Sequence, residues 1–271
     1  MLGRLGFESA ALDAKLLTGH ALGIDALGLA TRERNRVSEA EAARVADLIQ
    51  RRMSGESVAR IIGAREFYGL EFRLNAATLE PRPDTELLVD LALAALPEGG
   101  AILDLGTGTG CIPIAILANR PDATGIATDI NPEALAMAAS NAERQGVAER
   151  LRVSQGDWFA ALPSDAPRFN LILSNPPYIA SAVIETLSAE VKDFDPRLAL
   201  DGGPDGLLPY RVIAAESARH LAPGGQVLVE IGYDQAEAVS ALFRQAGFGN
   251  IGVHKDLAGL DRVVCAHHIG G

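Results

Sequence analysis

The sequence predicts an α/β protein. Its expected core is a seven-stranded, doubly wound sheet with an antiparallel last strand, preceded by a small N-terminal helical domain and a β-hairpin linker. Three observations carry this expectation. From residue 101 onward, seven short apolar runs alternate with stretches of helical period, as a parallel sheet with crossover helices requires. The last two runs, 251–254 and 262–266, are too close for a parallel crossover, so the final strand must reverse. Before residue 81 the period is helical at first and then two. The expected divisions are 1–57, 58–80 and 81–271.

Residues 8–30 carry Leu12, Leu16, Leu17, His20 and Leu22 at helical spacing. Ser38 followed by Glu41 is a capping box that opens a second helix to about Met53. Ile61-Ile62 and the alternation from Glu66 to Leu74, with Gly69 as a turn residue, read as a hairpin. Pro81-Arg82-Pro83-Asp84-Thr85-Glu86 is rigid, and Asp84 or Thr85 can cap a helix over 86–96. Strands follow at 101–105, 125–129, 151–154, 169–173 and 226–231, with helices at 111–119, 132–145, 210–220 and 235–246. Turn residues at Asp201-Gly202-Gly203-Pro204 mark 183–209 as a flap, and Asp193, Asp195 and Arg197 read as its surface.

The chain has 271 residues, enough for a sizeable core. No window is long and apolar enough for a membrane span, and no basic segment with an apolar core opens the chain, so a cytoplasmic protein without membrane association is expected. Cys111 and Cys265, far apart, neither staple the fold nor make a zinc site; no metal is expected. The net charge of −11 lies wholly in 81–271, because residues 1–80 carry 11 groups of each sign. That acidic body argues against independent nucleic-acid binding, which draws on phosphate contacts. Arg32, Arg34 and Arg36 read as a solvated basic face.

Four strand ends carry chemistry. Asp104-Leu105-Gly106-Thr107-Gly108-Thr109-Gly110 follows a strand and opens a helix, offering close backbone approach and free N–H groups. Its spacing is G-x-G-x-G, with cysteine at 111, so it departs from the dinucleotide fingerprint. It resembles the loop of methyltransferases that use S-adenosylmethionine. Asp129 ends the next strand, where a carboxylate accepts from ribose hydroxyls, although a nicotinamide cofactor would be served equally. Asp157-Trp158 ends the third: the indole can pack on adenine or fill the core, and Asp157 can accept from an amino group.

Asn175-Pro176-Pro177-Tyr178 ends the fourth. Two prolines stop the strand and hold Asn175 and the Pro176 carbonyl on stiff, extended backbone. An NH2 on an sp2 carbon is a poor nucleophile because its lone pair is delocalised. Two fixed acceptors can hold its hydrogens and aim the lone pair at an electrophilic methyl, and such positioning can supply roughly 7–11 kcal/mol. Tyr178 can pack on a planar acceptor or seal the pocket. The ledge suits adenine in DNA, guanine in RNA or a protein glutamine.

Over nearly its whole length the chain resembles the release-factor glutamine methyltransferases. The matching stretches are 66–70, 81–86, 104–110, 129–132, 174–179, 205–207, 223–225 and 230–232. The resemblance implies S-adenosylmethionine as cofactor and bacterial peptide-chain release factors as protein substrate, methylated on the glutamine amide nitrogen of their Gly-Gly-Gln loop. It implies cofactor contacts at Gly106, Thr107, Gly108, Thr109, Gly110, Asp129, Asp157, Trp158 and Asn175. It implies substrate contacts at Asn175, Pro176, Pro177 and Tyr178, with Asn175, Pro176 and Tyr178 serving catalysis, Arg82 as a gatekeeper, and an N-terminal helical domain that docks the release factor. Two departures stand out: Glu80 replaces an apolar residue, and the N-terminus begins late, as though a first helix were missing. The alternatives are an exocyclic-amine methyltransferase acting on adenine N6 or guanine N2, and a non-catalytic, cofactor-binding translation factor.

Overall fold

Glycine and capping side chains cut the N-terminal region into shorter helices than its period suggests. The computed structural model describes residues 2–5, 7, 9–32 and 35–269, so Arg34 lies outside the described residues. The stretch 8–30 is two helices, α1 (Ala10–Leu22) and α2 (Ala26–Thr31). Gly23, left-handed at φ 64°, ends α1, and the Asp25 carboxylate accepts from Gly28 N at 2.7 Å to start α2. Leu12 and Leu16 are exposed, whereas Asp13 and Leu17 are buried. The face is set by Arg52, whose guanidinium pairs with Asp13 at 2.7 Å. The expected capping box opens α3 (Glu39–Met53). Val58–Ile62, expected in the hairpin, is a helix, α4: the Ser57 hydroxyl accepts from Arg60 N, and Gly63 ends the helix at φ 77°. Residues Met1–Ala64 and Ser188–Phe194 form one compact unit.

The second unit comprises Arg65–Leu187 and Asp195–Gly271. Strands β1 (Ala64–Phe67) and β2 (Leu70–Arg73) form a hairpin whose two-residue turn, Tyr68-Gly69, has positive φ at both positions. Glu86 accepts from Tyr68 N at 2.8 Å, and Asp90 accepts from the Tyr68 hydroxyl at 2.7 Å. These bonds fasten the turn to α5 (Glu86–Ala95). Neither Asp84 nor Thr85 caps α5; the Thr85 hydroxyl is engaged elsewhere.

The large sheet is built in chain order from β3 (Ala101–Leu105), α6 (Cys111–Asn119), β4 (Thr124–Asp129), α7 (Pro132–Arg144), β5 (Leu151–Gln155) and β6 (Phe169–Ser174). The helical turn α8 (Ala189–Lys192) belongs to the first unit. Then come α9 (Leu208–Ser217), β7 (Leu221–Glu230), α10 (Ala236–Gln245), β8 (Phe248–Lys255) and β9 (Asp261–His268). Helix α9 starts two residues before the expected Tyr210, with Pro209 in its first turn, where a missing N–H costs nothing. Strand β7 begins five residues early, because Leu221 pairs with Phe169 before Pro223-Gly224-Gly225 interrupts the register.

The strand order is β5-β4-β3-β6-β7-β9-β8, parallel through β7, with β9 antiparallel to both neighbours. Seven strands and the reversed last strand are as the apolar runs require. Side chains alternate between two cores. Ile102, Leu171 and Leu173 face α5 and α6, whereas Leu103, Leu105 and Ile172 face α9 and α10. The carboxyl ends of β5, β4, β3 and β6 thus lie side by side, the usual place for a ligand in such a sheet.

Candidate active site

Backbone bonds knit these strand ends into one wall. The Thr128 carbonyl accepts from both Gly106 N and Thr107 N at 2.9 Å, and Gly110 N closes the loop onto the Thr107 carbonyl at 2.8 Å. Ser174 Oγ donates to the Leu105 carbonyl at 2.7 Å, and Gly156 N donates to the Asp129 carbonyl at 3.0 Å. Gly106, Gly108 and Gly110 all have positive φ, so the loop turns away from the sheet in a shape that side chains resist. A Cβ on Gly110 would also come within 2.8 Å of Ile114 Cδ1 and 3.1 Å of Ala138 Cβ.

In front of this wall lies a cavity of about 650 Å3. Of the expected cofactor contacts, Gly106, Thr107, Gly108, Thr109, Asp129, Asp157, Trp158 and Asn175 line it; Gly110 lies behind them, packed on α7. Asp129 is held in place from both sides: Oδ2 accepts from Gly108 N and Oδ1 from Asn131 N, each at 2.9 Å. A carboxylate has about four acceptor positions, so it retains capacity for two hydroxyls. Trp158 stands three residues beyond the end of β5, at φ 46°. Left-handed backbone in a bulky residue is strained. Here it sets the indole at the cavity wall beside Gly106, where it also packs on the core.

Of the expected substrate contacts, Asn175 and Pro177 line the cavity. Pro176 is buried. Tyr178 packs on the sheet core, burial pushes its hydroxyl up to about 12, and its carbonyl accepts from Gln235 Nε2 at 2.9 Å. Asn175 Nδ2 donates to Thr85 Oγ1 at 3.2 Å, and Thr85 Oγ1 donates to Glu230 Oε2 at 2.6 Å. Thr85 and Glu230 are both buried. Among the described residues no group donates to Asn175 Oδ1, so the acceptor end of the amide stays open.

Arg82 lines the cavity and pairs with Asp195 at 2.7 Å. Asp195 is therefore buried, not flap surface; Asp193 is exposed, and Arg197 is exposed at the cavity edge. The flap is laced to the ledge, with Ile179 N on the Leu200 carbonyl and Gly202 N on the Ile179 carbonyl. Glu80 is buried, lines the cavity and pairs with Arg65 at 3.4 Å, so its charge is compensated inside the fold.

Two buried carboxylates were given no role by sequence reasoning. Asp104, under the glycine loop, is raised from 3.8 to about 7 by burial, with the facing Thr107 hydroxyl pulling the other way and Asp129 adding repulsion. Neither of its oxygens meets a donor in hydrogen-bond geometry. Glu230 is raised from 4.5 to about 7, again chiefly by burial. The signal was available: each is the lone carboxylate of a largely apolar strand, β3 (Ala101–Leu105) and β7 (Leu221–Glu230).

Comparison with known proteins places this arrangement. Residues 83–193 match the methyltransferase small domain family, and residues 1–63 match the PrmC N-terminal domain. A release factor glutamine methyltransferase of Agrobacterium fabrum is 46% identical over 96% of this chain and 91% of its own length. That of Cereibacter sphaeroides is 46% identical over 98% of this chain and 94% of its own. That of Bradyrhizobium diazoefficiens is 47% identical over 96% and 88%. A methyltransferase structure from Pyrococcus furiosus shares the fold, with a TM-score of 0.57 at 17% identity over 82% of this chain and 98% of that one. With such identity along nearly its full length, this chain belongs to the release factor glutamine methyltransferase family.

Proposed function

We propose that the protein transfers a methyl group from S-adenosylmethionine to the side-chain amide nitrogen of the glutamine in the Gly-Gly-Gln motif of bacterial release factors. The observation that carries this reading is the orientation of Asn175: its NH2 is tied back to Thr85, and its Oδ1 is left open at the cavity that also holds the glycine loop. An open acceptor there suits a guest that brings an NH2.

The residues present fit the cofactor. The glycine loop leaves room for close backbone approach, Asp129 has acceptor capacity for ribose hydroxyls, and Trp158 and Asp157 offer an aromatic face and an acceptor for adenine. When bound, the cofactor supplies an electrophilic methyl on a sulfonium. Asn175 Oδ1 accepts one amide hydrogen of the substrate, and the Pro176 carbonyl is the proposed second acceptor. Together they turn the nitrogen lone pair toward the methyl and stiffen its approach. Tyr178, packed into the core, closes the wall behind the ledge rather than stacking on the guest. No strong base is needed, since the amide proton leaves after transfer. We place the reaction in the cytoplasm, with a protein rather than a nucleic acid as partner. Among the described residues no helix is long and apolar enough to cross a membrane.

The test is incubation of purified release factor with the enzyme and methyl-labelled cofactor. Label on the Gly-Gly-Gln glutamine is expected. Label on nucleic acid with none on the release factor would overturn the reading.

A further inference from the structure

Thr85 links two residues far from it in sequence. Its hydroxyl accepts from Asn175 Nδ2 at 3.2 Å and donates to Glu230 Oε2 at 2.6 Å. Thr85 sits in the Pro83–Thr85 turn, Asn175 follows β6 and Glu230 ends β7, so three separate elements meet at one hydroxyl. The Thr85–Glu230 bond is buried and the Asn175–Thr85 bond half-buried, and away from water an unmatched donor or acceptor is costly, so the order of donors and acceptors is constrained.

A hydroxyl has a single proton. An ionised Glu230 only accepts, so it takes the Thr85 proton and leaves Thr85 only its lone pairs for Asn175. The Asn175 amide must then turn its NH2 inward and its oxygen to the cavity. A protonated Glu230 can donate to Thr85 instead. The Thr85 proton is then free for Asn175 Oδ1, and the amide turns over. Its NH2 would face the NH2 of an incoming amide, donor against donor.

We propose that Thr85 and Glu230 are positioning residues that set which end of the Asn175 amide faces the substrate, and that the site accepts an NH2 only while the relay runs from Asn175 through Thr85 to Glu230. This rests on the proposed glutamine methyl transfer, with Asn175 as the acceptor of the amide. Other groups act on Glu230. Arg262 and the inward NH2 of Asn175 itself favour its charged form, and Asp84 opposes it. Tyr178 and Cys111, both pushed up to about 12, and Tyr210, pushed well above 10, stay neutral near pH 7. Tyr210 also donates its hydroxyl proton to the Glu230 backbone carbonyl at 2.8 Å, which fixes the end of the strand.

The experiment measures methyl transfer to intact release factor at saturating cofactor from pH about 5.5 to about 9, with cofactor affinity read separately by calorimetry. Wild type should lose kcat/KM on the acid side with a midpoint near 7. Glu230→Gln should lower activity and remove that acid limb. Saturating cofactor and this variant together separate Glu230 from Asp104, which also titrates near 7 under the glycine loop. Thr85→Val, of equal size but without the hydroxyl, should lower kcat/KM for the release factor by about tenfold or more, with cofactor affinity unchanged within about twofold. Thr85→Ser should recover most of the loss. The proposal is overturned if Thr85→Val is as active as wild type, if it loses cofactor affinity in step with activity, if serine rescues no better than valine, or if a folded Glu230→Gln keeps the acid limb. If Glu230→Gln does not fold, the valine–serine comparison decides alone. Wild-type enzyme that labels no glutamine would remove the parent reading and this inference with it, whereas an active wild type with an indifferent Thr85→Val removes only the inference.

Discussion

Asp104 is buried with both carboxylate oxygens lacking hydrogen bonds, and it holds its proton up to about pH 7. The unfolded chain would release that proton near 3.8. Between those values the folded state binds the extra proton, so stability falls as pH rises through the window and levels off above it. Asp104→Asn keeps the shape without the ionisation. It should stabilise the fold at pH 8 by on the order of 1–4 kcal/mol, seen as a higher melting temperature, and the gain should vanish near pH 4. Thermal melts at the two pH values check this; equal melting temperatures at pH 8 would contradict it. Asn175→Ala removes the open acceptor at the ledge without touching the glycine loop. It should cut kcat by about a hundredfold or more while cofactor affinity stays within about threefold, as a paired activity and calorimetry measurement would show.

Among elements, the glycine loop and α6 are coupled through Gly110. Gly110→Ala places a Cβ against Ile114 and Ala138 at a left-handed backbone position. A loss of about 2–3 kcal/mol in denaturant unfolding is expected, together with weaker cofactor binding. Ser38→Ala breaks the capping box of α3, where Ser38 Oγ accepts from Glu41 N and Glu41 accepts from Ser38 N. It should cost about 1 kcal/mol and leave the methyl-transfer site unaffected. The difference between these elements also explains what could be read in advance. The strands β3 and β6 were legible because a parallel strand buried on both faces must be continuously apolar, and Ala101–Leu105 and Phe169–Ser174 nearly are. Helix α4 was misread because Ile61-Ile62 carries strand-like side chains, and the deciding bond comes from Ser57, outside the pair. The ledge at Asn175 was legible from two prolines. Its orientation was not, because Thr85 and Glu230 reach it only through tertiary pairing of β6 with β7 and the packing of the 83–85 turn.

On the scale of the whole molecule, the helical unit is made of two pieces of chain, Met1–Ala64 and Ser188–Phe194. Arg52 pairs with both Asp13 and Glu190, at 2.7 and 3.2 Å, and a Cβ on Gly55 would meet Ala189 at 3.6 Å and Phe194 at 3.7 Å. A peptide of residues 1–64 therefore lacks part of its own packing. It should unfold with a stability lower by about 1 kcal/mol or more than the same peptide carrying 188–194 on a flexible tether, as helix content during thermal melting would report. Equal melts would show that the second piece is a passenger.

The divided unit also has an order in time. A ribosome delivers residues 1–64 early, yet the segment that completes their packing emerges only after β3 to β6 have been made. The first unit is thus finished long after its first helices are made, and until Phe194 is released those helices remain short of their last neighbours. Slowing synthesis within 65–187 would lengthen that interval, during which the helices of the first unit are open to chaperones or proteases.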